Sequence, residues 1–183
     1  SGKFVVAFAN SFGEGGNGTG AYYLASSADE VWLQPSGEFA VTGISVETPF
    51  LKGAMDKIGV SFEGGKRYEY KSAPNSVLEP DFTPAQRENT QQLVDSLLSQ
   101  RVGDLSKARN LPGDAVRKLI DSAPFSAADA KLAKLIDRIG YRDEVDAYVL
   151  QRAGAGAGLF DYDDYRHIVD KPYSKGPVIA LIR

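Results

Sequence analysis

Lys71 is the residue in this chain best placed to do chemistry. It lies in Tyr68-Glu69-Tyr70-Lys71-Ser72-Ala73-Pro74, after a Gly64-Gly65 break and before an acidic, proline-marked loop. A lysine amine becomes a general base when burial or a neighbouring group favours its neutral form. It can then take the proton of a serine hydroxyl with no histidine present. A lysine beside a turn is ordinarily a solvated surface lysine, so the reading depends on what the rest of the chain offers. Ser72 adjoins Lys71, but successive side chains of a strand point to opposite faces. Ser72 is therefore a poor nucleophile for Lys71, and the serine such a base would serve lies elsewhere.

Other chemistries find little support. The chain has no cysteine, hence no thiol nucleophile, disulfide framework or thiolate metal site. A Ser-His-Asp triad or a histidine-based zinc site would have to use His167, the one histidine, which sits in a segment rich in Tyr and Asp. Neither a G-x-S-x-G elbow nor an S-x-x-K pair occurs, and no P-loop is present. Gly13, Gly15 and Gly18 spell G-x-G-x-x-G after a strand-like run. Glu14 would be electrostatically awkward beside a pyrophosphate, so a dinucleotide turn is a weak reading. The acidic residues fall mostly at helix starts and in loops, and helix dipoles account for Asp143 and Glu144. No cofactor and no metal are expected.

The elements that must position Lys71 read as α/β with partly parallel strands. Phe4 to Phe8 is a short apolar run, the pattern of a buried parallel strand. A glycine-rich loop leads into an apolar helix at Ala21 to Ala25, and Val31-Trp32-Leu33 forms a second strand closed by Pro35-Ser36-Gly37. Phe39 and Val41 mark a third. Thr48-Pro49 predicts a helix start, with Phe50, Leu51, Ala54, Met55 and Ile58 on one face and Gly59 as its stop. Val60 and Phe62, then Tyr68 and Tyr70, alternate as strands do, which puts Lys71 at a strand end before Pro74.

Thr83-Pro84-Ala85-Gln86 predicts an N-cap, a proline at N1 and a capping-box Gln at N3. The stripe that follows is Leu93, Val94, Leu97, Leu98, Val102 and Leu105. Three shorter helices are expected. Val116, Leu119 and Ile120 mark the first. Ser126 caps the second, which carries Leu132, Ala133, Leu135 and Ile136 to a stop at Gly140. Val145, Tyr148 and Val149 mark the third. The C-terminal half is thus mostly helical.

At 183 residues, with 43% apolar and 25% charged residues, the chain can bury a core without disulfides. A net charge of -3 and no basic-aromatic stripe argue against a nucleic-acid partner. No signal peptide and no apolar run of the ~20 residues needed to span a bilayer are visible. Both ends read as interior to a longer protein. Residues 1–152 are expected to form one repeat whose first strands precede residue 1, and residues 153–176 an Ala/Gly linker with a Tyr/Asp-rich arm. Residues 177–183 read as the first strand of a following repeat.

Three stretches resemble the signal peptide peptidase A family, membrane-anchored bacterial Ser/Lys peptidases with the Clp-protease/crotonase-like fold. The first is Tyr70-Lys71-Ser72-Ala73, with Glu79-Pro80 and a proline-initiated helix. The second is Gly18-Thr19-Gly20-Ala21-Tyr22-Tyr23-Leu24-Ala25 with Val31 to Gly37 and Thr42-Gly43-Ile44. The third runs from Ser126-Ala127-Ala128-Asp129-Ala130 to Leu135-Ile136-Asp137-Arg138-Ile139-Gly140-Tyr141. The likeness covers most of residues 1–150 in order. Long members of the family are tandem repeats, the first supplying the lysine and the second the serine.

By this resemblance Lys71 is the general base, and Thr19 is the counterpart of the serine position without being a nucleophile. The implied substrates are cleaved signal peptides and other apolar segments. The implied partners are a C-terminal repeat carrying the serine and further copies of the chain, as a homo-oligomer (a tetramer). The implied location is the periplasmic side of the bacterial cytoplasmic membrane, with an anchor upstream. Two departures stand out. Tyr68 replaces the glycine the family commonly carries two residues before the Tyr-Lys pair, and Pro74 to Leu78 makes a longer loop. Two other readings fit the same residues: a crotonase-like enzyme acting on an acyl-thioester, and a non-catalytic repeat that builds an oligomer and shapes a groove.

Overall fold

The computed structural model describes residues 3–168. They fall into two units, one ending at Gly140 and one starting at Tyr141. In the first, β1 (Val6–Ala9) runs parallel to β2 (Glu30–Leu33), with Val6 opposite Glu30 and Ala9 opposite Leu33. The connection between them carries α1 (Thr19–Ala25), as parallel pairing requires a crossover. On its other side β2 pairs in parallel with β5 (Arg138–Ile139), giving the order β1-β2-β5. The central strand buries Val31, Trp32 and Leu33, whereas β1, paired among the described residues with β2 alone, is half-buried along its length.

The core gathers on this sheet. Phe12, Tyr22 and Phe39 meet edge-to-face with centroids 4.6 to 5.7 Å apart, the geometry that ring quadrupoles favour. Phe39 belongs to β3 (Glu38–Phe39), which pairs antiparallel with β4 (Phe125–Ser126). The Tyr22 hydroxyl donates to the Leu135 carbonyl at 2.6 Å. Burial pushes that hydroxyl's pKa up, with Arg109 opposing and Asp137 adding to the effect, so it stays a donor at any physiological pH.

Helix α4 (Pro84–Arg109) is the longest element. The Thr83 side chain accepts from the Gln86 N–H, and Asn110, at φ 50°, ends the helix in the left-handed region. The apolar stripe predicted along it is only partly used. Val102 and Leu105 are buried and Leu98 packs on the core, but Leu93 and Leu97 are exposed. Helix α5 (Gly113–Ser122) adds Val116 to the core, and α6 (Ala127–Leu132), capped by Ser126, adds Ala127 and Ala130.

Several local expectations yield to tertiary contacts. The helix predicted from Thr48 begins only as α2 (Lys52–Lys57), because the Leu51 N–H donates to the Ser76 carbonyl at 2.7 Å and Phe50 packs on Phe82. Val60 and Phe62 form no strand and are 41% and 48% exposed. Leu135 and Ile136 leave the helix: Lys134 takes φ 61°, and the chain then enters β5. The Asp137 N–H bonds the Val31 carbonyl at 2.8 Å, which guides that entry.

In the second unit α7 (Arg142–Ala153) starts with Glu144 reaching back to the Tyr141 N–H, and α8 (Tyr162–Ile168) follows the Ala/Gly stretch. The strand predicted at 177–183 lies outside the described residues. Among those residues no helix is long and apolar enough to cross a membrane.

Candidate active site

Lys71 sits on a turn, not at a strand end. Tyr68 has φ 68°, the Lys71 N–H reaches the Tyr68 carbonyl at 3.3 Å, and the Ser72 N–H reaches that of Tyr70 at 3.1 Å. The alternation of Tyr68 and Tyr70 suits a strand only if a neighbour supplies a ladder. Here the backbone bonds close locally instead. Tyr68 therefore holds the left-handed conformation that glycine takes without cost, at the position where the resemblance expects glycine. Tyr68→Val is expected to be about 1 kcal/mol less stable than Tyr68→Gly, read as the difference between their urea midpoints. Equal midpoints would show that this backbone conformation is not constrained.

The turn is fastened to α4. The Tyr70 hydroxyl donates to Glu88 Oε2 at 2.9 Å. That carboxylate bond, aided by the charge of Glu88, raises the Tyr70 pKa and keeps the phenol protonated. The Arg67 guanidinium lies 5.4 Å from the Tyr68 ring centroid. Lys71 itself is exposed, and Ser72 is half-buried with its carbonyl accepting from the Asn75 N–H at 3.0 Å. Helix α3 (Asn75–Leu78) then carries the chain toward Thr83.

Thr19 stands at the start of α1 and is 2% exposed. Its hydroxyl donates to the Gly43 carbonyl at 3.0 Å, and its N–H donates to Asn17 Oδ1 at 2.9 Å. Its oxygen is thus walled in and already engaged. The glycines before it serve the chain's own packing. A Cβ at Gly18 would come 2.1 Å from the Phe12 carbonyl oxygen, and the Gly18 N–H donates to the Ala40 carbonyl at 2.9 Å. This close approach accounts for the glycine there without a phosphate.

The extended segment after Val41 and the N-terminal half of α4 enclose a cavity of about 290 Å³, with Ile44, Val46, Phe82 and Val94 on its walls beside Arg87 and Thr90. Among the described residues no group of three His, Cys, Asp or Glu side chains could hold a metal ion. Of the side chains that hold the lysine turn, sequence reasoning singles out Gln86 but not Asn75 or Glu88. The Gln86 signal was present but pointed to a cap.

Residues 1–155 match Peptidase family S49. The chain belongs to this family. Its S49 relatives include Protease 4 of Haemophilus influenzae, 28% identical over 180 residues that make up 90% of this chain and 28% of that protein. The chloroplastic serine protease SPPA of Arabidopsis thaliana is 27% identical over 154 residues, 84% of this chain and 22% of the relative. A putative signal peptide peptidase SppA of Enterococcus faecium is 26% identical over 161 residues, 86% and 44% respectively. This S49 chain therefore spans less than half the length of these relatives. Membership, with a mixed α/β fold of short parallel strands, bears out the resemblance to the signal peptide peptidase A family. It favours peptidase over acyl-thioester chemistry.

Proposed function

We propose that this chain is the lysine-bearing repeat of a serine endopeptidase that degrades cleaved signal peptides through a Ser/Lys dyad. Lys71 is the general base, and the nucleophilic serine belongs to a second repeat with the same Clp-protease/crotonase-like fold. The observation that carries this reading is the pairing of an exposed Lys71 on a fastened turn with a Thr19 hydroxyl that is buried and engaged. Lys71 is exposed, so a hydroxyl from elsewhere can reach it. The one threonine at the serine-like position cannot.

In the assembled enzyme the serine-bearing repeat covers the lysine turn. Excluding water from an amine favours its neutral form, and a neutral amine takes the serine proton as the hydroxyl attacks the scissile carbonyl. The resulting ammonium returns the proton to the leaving amine. The walls formed by Ile44, Val46, Phe82 and Val94 suit an apolar peptide segment. A homo-oligomer at the outer face of the bacterial cytoplasmic membrane, anchored by a preceding segment, completes the proposal.

The 183-residue chain alone is expected to leave a fluorogenic peptide ester unhydrolysed, while the same chain joined to its second repeat turns it over. Turnover by the isolated chain that survives Lys71→Ala would sink the assignment.

A further inference from the structure

We propose that Asn75 is a positioning residue for Lys71, through a side-chain relay that pins both ends of the lysine loop to the first turn of α4. This rests on the reading of Lys71 as the base. Asn75 is fully buried although it lies four residues from an exposed lysine. Its Oδ1 accepts from Lys66 Nζ at 2.8 Å, and its Nδ2 donates to Gln86 Oε1 at 2.8 Å. Thr83 Oγ1 lies 3.5 Å from the same Nδ2, at the outer limit of a hydrogen bond. The orientation of the amide is dictated by its partner, since a lysine ammonium can only donate.

The geometry has a direct consequence for the base. Residues 66 and 75 bracket the turn, and the Lys66–Asn75 bond closes the loop between them with Lys71 inside. The Asn75–Gln86 bond then fixes that closed loop on α4, and Tyr70–Glu88 fixes it again one residue from the lysine. Lys66 also approaches Glu79 at 3.4 Å, so its ammonium is held by two side chains of the segment that follows the turn. Gln86, which could have closed a capping box on Thr83, turns its side chain to Asn75 instead. A side chain diverted from its own helix cap into a buried bond with the lysine loop is what makes the relay more than local packing. The turn has a left-handed Tyr68 and, among the described residues, no strand ladder, so these side-chain bonds carry much of what holds it.

The test uses the full-length protein and a peptide-ester substrate. Asn75→Leu is expected to lower kcat about 10- to 100-fold with KM within about twofold, the size of effect that an ångström-scale misplacement of a catalytic group produces. Gln86→Leu, which keeps the Thr83 cap, reproduces the loss even if Asn75→Leu does not fold. Asn75→Asp keeps most of kcat, because its carboxylate still accepts from Lys66 and Gln86 can turn its NH₂ inward. Val116→Ala, a core change outside this loop, lowers the melting temperature while leaving kcat unchanged. Wild-type kcat in Gln86→Leu, with Lys71→Ala inactive, overturns the positioning role and leaves the base intact. Equal kcat losses in Gln86→Leu and an equally destabilised Val116→Ala also overturn it. An active Lys71→Ala removes the base itself, and the positioning role with it.

Discussion

Lys71→Ala in the full-length protein is expected to lower kcat/KM for a peptide ester by about 1,000- to 10,000-fold, with KM little changed. Loss of a general base typically costs about 100- to 10,000-fold. The upper part of that range applies where the base also activates the nucleophile, as in hydroxyl-based peptidases. Lys71 does not line the proposed peptide groove, so binding should survive. Lys71→Arg should be as impaired as the alanine variant, since a guanidinium is not deprotonated in proteins. Thr19→Val supplies the control. It removes a hydroxyl already bonded to the Gly43 carbonyl, lowers stability by about 1 kcal/mol, and leaves turnover within about twofold. If Lys71→Ala keeps a tenth of wild-type turnover, or Thr19→Val loses most of it, the base and nucleophile have been assigned to the wrong groups.

The second large effect concerns stability. Arg109→Met is expected to cost about 2–3 kcal/mol at neutral pH, measured by urea unfolding. Arg109, with a side chain 8% exposed, grips both oxygens of Asp137 at 2.9 Å and donates Nε to the Lys134 carbonyl at 2.9 Å. Asp137 in turn accepts from the Val31 N–H at 2.7 Å. The pair thus ties the end of α4 to the central strand and to the segment entering β5. The loss is smaller than for a fully buried pair because about a third of the Asp137 side chain remains in water.

The same pair sets an acid dependence. Burial opposes ionisation of Asp137, but the bonds from Arg109 and the Val31 N–H, with the charges of Arg109 and Arg138, outweigh it and hold the pKa below the ordinary carboxylate value. A lowered folded-state value means that the unfolded chain binds the proton more tightly. The contribution is therefore complete above the ordinary carboxylate pKa and is lost as pH falls through the folded-state value. Wild-type and Arg109→Met curves should converge in acid. A constant gap between pH 7 and about pH 3 would contradict the linkage.

The elements that sequence reasoning located best are those with local causes. Thr83 and Pro84 start α4 where an N-cap and a proline at N1 should, and Ser126 caps α6 through the Asp129 N–H. Val31 to Leu33 forms the central strand because three consecutive apolar residues suit burial on both faces. Patterns that failed needed a distant partner. Tyr68 and Tyr70 alternate but have no adjacent strand among the described residues. The Leu135-Ile136 pair has helical spacing, yet the Val31 backbone draws the next residues into the sheet.

What the sequence determined by itself is the family, the mixed α/β class and Lys71 as the candidate base, because these rest on residue types and their order along the chain. Only the tertiary structure decided that Lys71 rides on a turn rather than a strand. It also decided that Thr19 is engaged by Gly43, and that Asn75 and Gln86 hold the lysine loop. The reason is physical. A buried hydrogen bond is made with whichever group folding brings within reach, and for Asn75 those groups are 9 and 11 residues away along the chain. No period or cap of the local sequence encodes that meeting.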